Sequence, residues 1–108
     1  MHLIIKNHKF QYETENLLRV FFPEKITVTD DIPEEGDYCF TQLDGSVITV
    51  KIRISDEEYS QSKEFFFTDK VQDETDESFL ERKLALMMYD MLRDATGYMP
   101  PWGILTGV

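Results

Sequence analysis

Apolar and polar positions along the chain follow one spacing after another, and each spacing marks an element. The first apolar run, His2 to Lys6, has the length of a short strand. From Asn7 onward Phe10, Thr14, Leu17 and Phe21 recur at steps of four, three and four. That stripe, with Leu18 and Phe22 beside it, predicts an amphipathic helix stopped by Pro23. Lys25 to Thr29 is β-branched and predicts a second strand, and 30–36 carries the acids, proline and glycine of a loop. Asp37 to Leu43 and Ser46 to Ile54 flank Asp44-Gly45, a pair suited to the positive φ angles of a type I′ hairpin turn. That turn would set Leu43 opposite Ser46, Thr41 opposite Ile48 and Cys39 opposite Val50. Ile48, Val50, Ile52 and Ile54 then share a core face with Cys39, Thr41 and Leu43, while Tyr38, Phe40 and Val47 fall on the other face.

Beyond the hairpin, Ser55 to Gln61 is polar and reads as a connection. Lys63 to Thr68, with Phe65, Phe66 and Phe67, reads as a further strand. Thr75 is placed as the N-cap of a last helix, with Asp76 and Glu77 in its positive first turn. Leu80, Leu84, Met87, Met91 and Ala95 form its stripe, broadened by Met88 and Leu92. Thr96 ends it, and Gly97 takes the C′ position ahead of Pro100-Pro101. The fold class expected is α+β, a two-layer sandwich in the order β-α-β-β-β-α, with a mostly antiparallel sheet and two helices on one face.

Composition narrows what such a domain can do. A chain of 108 residues makes one domain with one core. Leu, Ile, Val and Phe supply 31 residues, enough apolar surface to fold. The net charge of −10 argues against nucleic acid and anionic membrane as partners. A single cysteine and the lack of any apolar run of about 20 residues make a cytoplasmic protein the expectation.

The chain offers few groups for chemistry. His2, at an edge, and His8, in a turn, read as solvated side chains, and Cys39 as a small core hydrophobe. Asp30-Asp31 with Glu34-Glu35 lacks the alternating oxygens of a calcium loop, and Asp73 to Glu77 reads as a charged helix start. No glycine-rich phosphate loop or Gly-x-Ser-x-Gly elbow is present. The methionines at 87, 88 and 91 fit a core better than a binding groove. No catalytic, cofactor-binding or metal residue is therefore assigned to this chain.

The tail differs from the rest. After Pro100-Pro101 comes Trp102-Gly103-Ile104-Leu105-Thr106-Gly107-Val108, an apolar run expected to lead into a larger polypeptide. A long helix reaching Thr96-Gly97 and then this motif resembles the N-terminal region of the oxygen-independent coproporphyrinogen III oxidase (dehydrogenase) family of Gram-positive bacteria. The specific match covers about the last dozen residues.

The resemblance implies a non-catalytic accessory domain at 1–97. Residues 98–108 would be the linker that begins the junction to a catalytic radical S-adenosylmethionine barrel of the same polypeptide. That barrel would carry the [4Fe–4S] cluster and S-adenosylmethionine and convert coproporphyrinogen III to protoporphyrinogen IX in haem biosynthesis. With one cysteine, the cluster could not be held by this chain. Candidate inter-domain contacts are Tyr38, Phe40 and Val47 on the outer sheet face, with Phe66 or its neighbours, and Trp102, Gly103, Leu105, Thr106 and Gly107 at the junction. Two alternatives are a loop packed over the outer-face aromatics, and a free-standing acidic protein-binding module.

Overall fold

The structure is a computed structural model that describes residues 1–70 and 73–99. Its order is β1 (His2–Lys6), α1 (Gln11–Phe21), β2 (Thr27–Thr29), β3 (Tyr38–Asp44), β4 (Val47–Ile54), β5 (Glu57–Glu64), a 3₁₀ turn (Phe67–Asp69) and α2 (Asp76–Thr96). Five strands form one open sheet in the order β2-β1-β3-β4-β5. β1 runs parallel to both β2 and β3, while β3–β4 and β4–β5 are antiparallel. The sheet is therefore mixed, not mostly antiparallel, and four strands separate the helices where the order β-α-β-β-β-α has three.

The core lies between the helices and one sheet face. Leu3, Cys39, Ile48, Val50 and Ile52 meet Phe10, Leu17, Leu18 and Phe21 of the α1 region and Phe79, Leu80, Leu84, Met87, Met88, Met91 and Leu92 of α2. The two stripes expected from spacing are buried, except that Phe22 and Ala95 are half-buried, and Phe79, outside the expected stripe, is fully buried as well. α2 has the expected ends: Thr75 Oγ1 accepts the Ser78 N–H at 3.0 Å, and Gly97 sits in the left-handed region at φ 73°. Among the described residues, no helix is long and apolar enough to cross a membrane.

Several local expectations are corrected. α1 begins at Gln11 rather than Asn7, because Asn7 turns the chain out of β1 at φ 61°. β2 is three residues long, with the buried Ile26 just before it. The β3–β4 register is two residues away from that expected: Leu43 faces Ile48, Thr41 faces Val50 and Cys39 faces Ile52. The turn is Gly45-Ser46, with positive φ at Gly45 only, the φ pattern of a type II′ turn. A shift of two keeps every side chain on its assigned face, so the core alternation survives.

The second hairpin is where the reading by pattern fails. Ser55 and Asp56 both take positive φ, 53° and 68°, and join Ile54 to Glu57 as a two-residue I′-type turn. β5 is then Glu-Glu-Tyr-Ser-Gln-Ser-Lys-Glu, whose first five residues lie in the polar stretch expected to be a connection and whose last two begin the run expected to be a separate strand. It lies at the sheet edge, where charged side chains are tolerated and discourage further pairing. The run 63–68 is not a strand of its own. Phe65 leaves the sheet and packs edge-on against Phe79 at 6.5 Å.

Candidate functional site

The link from β2 to β3 decides the fate of the outer sheet face. Both strands run parallel to β1 on either side of it, so residues 30–37 must return across β1 on the face away from the helices. Arg53 pins this loop: Nε donates to Gly36 O at 2.8 Å and Nη2 to Pro33 O at 2.6 Å. The same guanidinium lies 4.8 Å from the Tyr38 ring centroid. Beneath the loop Ile4 is fully buried and Tyr38 only 4% exposed.

The candidate contact residues divide accordingly. Tyr38 is covered within the chain itself. Phe40 is half-buried with Lys51 Nζ 5.5 Å from its ring centre. Val47 is half-buried at the far end of β4, and the polar pair Gln42–Thr49 lies between it and Phe40. Phe66 is 61% exposed beyond the edge strand. Trp102, Gly103, Leu105, Thr106 and Gly107 lie outside the described residues.

The reactive groups are committed to structure. Cys39 is fully buried, and burial pushes its thiol up to about 12, far from a nucleophilic thiolate. His2 is on a central strand rather than an edge, and its Nδ1 is buried without a hydrogen-bond partner among the described residues. His8, expected to be solvated, is half-buried and bonded at both ring nitrogens. The Thr41 hydroxyl donates its one proton to Ile4 O at 3.1 Å, so it must accept from His8 Nε2 at 2.7 Å. Nδ1 accepts the Phe10 N–H at 3.1 Å. That proton arrangement is the neutral imidazole, and burial lowers the His8 pKa in the same sense, opposed by Glu13. With neither nitrogen free, His8 holds the β1–α1 connection to β3 and has no lone pair for a metal or a proton in transit. Among the described residues no group of three or more His, Cys, Asp or Glu side chains is arranged to hold a metal ion.

Among the described residues an open cleft has a volume of about 510 Å³. It opens between the β1–α1 connection (Asn7, His8, Lys9, Phe10), Leu43 near the end of β3, and Glu77 and Leu80 in the first turns of α2. Phe10, Leu43 and Leu80 give it apolar walls, and Lys9 and Glu77 pair at 3.2 Å across it. Glu13 and Glu81 stand close by: burial raises the Glu81 carboxyl, and the charges of Glu13 and Glu77 raise it further. None of these cleft residues was singled out from the sequence as a binding residue. Its two sides lie about seventy positions apart, and only the placement of Glu77 just inside the Thr75 cap hinted at an exposed carboxylate there. The lining is apolar apart from Asn7, His8 and the Lys9–Glu77 ion pair. A search of family models, curated proteins and solved structures finds none that matches this chain.

Proposed function

We propose that this chain is a non-catalytic accessory domain attached to a radical S-adenosylmethionine enzyme of the oxygen-independent coproporphyrinogen III oxidase/dehydrogenase type. The observation that carries this reading is the segment Trp102-Gly103-Ile104-Leu105-Thr106-Gly107, set just after a long helix, as in that family. The closure of α2 at Gly97 supports it, because the chain is turned out of the helix shortly before the motif begins. The commitment of Cys39 and His8 to structural contacts accords with chemistry housed in another domain. In that setting the [4Fe–4S] cluster and S-adenosylmethionine belong to the parent's barrel, and this domain contributes stability or orientation. The test is to express the parent enzyme with and without residues 1–101 and to measure soluble yield, iron content and turnover of coproporphyrinogen III. Loss of any of the three on truncation is expected, and unchanged values refute the docking role.

The net charge of −10 favours a second reading, a free-standing acidic module that binds a protein partner. A parent gene lacking any Cys-x-x-x-Cys-x-x-Cys triplet downstream would favour this reading over the first.

A further inference from the structure

We infer that His8 is a proton-operated latch: uptake of one proton at Nδ1 releases the turn at 7–9 from β3 and uncovers the Phe10 amide, while the sheet, the Phe10 ring and α2 stay in place. The turn lines one side of the open cleft, so its release remakes that side. The latch lies wholly within the described residues and does not depend on the accessory-domain reading.

The bonds at the ring admit only the neutral form. The Thr41 hydroxyl gives its proton to Ile4 O, so Nε2 must donate to it, and the Phe10 N–H needs the bare lone pair of Nδ1. A further proton can enter only at Nδ1, where it turns the acceptor into a second donor facing the Phe10 N–H at 3.1 Å. Two donors at that distance repel, and a part-buried amide loses its partner. The imidazolium would also stand just ahead of the first turn of α1, the end of a helix that disfavours a cation. Protonation therefore favours a ring turned out to water.

Little else holds the turn. Asn7 occupies the left-handed region at φ 61°, and Lys9 and Glu77 form an exposed pair at 3.2 Å that contributes little. The start of α1 is secured separately: Phe10 is 4% exposed, and its carbonyl accepts from the Thr14 N–H at 2.9 Å and the Thr14 hydroxyl at 2.8 Å. The charges around the ring come from two helices. Glu13 of α1 favours the imidazolium; on α2, Glu77 is engaged by Lys9, and Glu81 lies close enough to Glu13 to feel its charge. β3 presents Thr41 and Leu43, and β4 beside them Val50 and Ile48, all uncharged; Lys63 is one strand further away. Lys6 falls on the sheet face opposite to Thr41. Burial outweighs Glu13, so the held ring takes its proton below the ordinary 6.5, while the released ring takes it near that value. Between those two values the released fraction rises about tenfold for each unit fall in pH, and below the lower one it levels off.

The test follows the whole chain by NMR. Long-range nitrogen–proton spectra of the His8 ring at about pH 7.5 should show the proton on Nε2 and a bare Nδ1. Amide exchange, corrected for intrinsic rates, should show the protection of Phe10 falling at least about threefold between about pH 7.5 and about pH 5, while Leu84, Met88 and Leu92 of α2 keep theirs. His8→Asn offers an amide oxygen to the same N–H and cannot titrate, so its Phe10 protection should stay level with pH and its circular dichroism spectrum should match the parent's. Glu13→Gln should move the release to lower pH. A proton found on Nδ1 at about pH 7.5 would overturn the latch without recourse to any variant. So would a fall in Phe10 protection smaller than about threefold, an equal fall in His8→Asn, or α2 amides that open in step with Phe10.

Discussion

Replacing Arg53 by Met isolates the device that closes the outer sheet face. Met keeps a long apolar stem over Tyr38 but removes the guanidinium that reaches two loop carbonyls, at 2.8 Å on Gly36 and 2.6 Å on Pro33. A hydrogen bond from a charged donor contributes about 1.5–3 kcal/mol net. The Pro33 bond is partly buried and is counted near 2; the exposed Gly36 bond is counted lower. The stack on Tyr38 adds about 0.5–1 kcal/mol, and the exposed pair with Glu58 at 3.3 Å adds little. The variant should therefore lose about 3 kcal/mol, or about 10–20 °C in Tm for a domain of this size. Urea unfolding should show the midpoint falling at an unchanged slope, because the same surface is exposed in both proteins. Amide exchange should accelerate in 34–37 and at Tyr38 before it does in α2. Arg53→Lys should lose about half as much, since an ammonium cannot span both carbonyls with one rigid fork. A loss below about 0.5 kcal/mol for Arg53→Met, or unchanged exchange in the loop, would refute the view that this side chain holds the crossing down.

Three further outcomes follow from single features. His8 has a folded-state pKa below its ordinary 6.5, so the unfolded chain binds more protons just below that pH. Its contribution to stability is thus complete above about pH 6.5 and is lost as the pH falls through the lowered folded value. Urea midpoints between about pH 7.5 and 5 should decline, and His8→Asn should flatten that part of the profile; an equal decline in the variant would refute the assignment. Ser55 and Asp56 hold left-handed conformations suited to Asn-Gly. The double replacement Ser55→Asn/Asp56→Gly should stabilise by about 0.5–1 kcal/mol in urea melts, and a loss would argue against the I′-type turn. Cys39 should not react with an aromatic disulfide reagent in the folded protein, while full reaction should appear in denaturant; rapid labelling of the native chain would contradict its burial.

The helices were legible because each signal is local. The stripe at 10, 14, 17 and 21, the Thr75 cap and the Gly97 stop are all spelled within a few neighbouring residues, and their burial follows from the 3.6-residue period. The face assignment of β3 and β4 was legible for a similar reason: a period of two is unaffected when the hairpin turn shifts from Asp44-Gly45 to Gly45-Ser46. β5 was not legible. An edge strand can be assembled from Glu, Ser, Gln and Lys when a neighbour as apolar as β4 supplies the pairing, and its own residues carry no alternation that reveals it.

By itself, then, the amino-acid order determined the two buried helical stripes, the core side of the central hairpin and the commitment of Cys39 to the interior, because each depends on spacing along a few residues. Only the tertiary structure decided the rest. It set β1 between two parallel neighbours and thereby sent 30–37 over the outer face, where Arg53 and Tyr38 meet. It bonded His8 to Thr41 across thirty-three positions and brought Lys9 and Phe10 against Glu77 and Leu80 to form a cleft. The physical reason is the same in each case. Distant segments meet only when sheet pairing and core burial bring them together, and no local period encodes which strand will lie beside which.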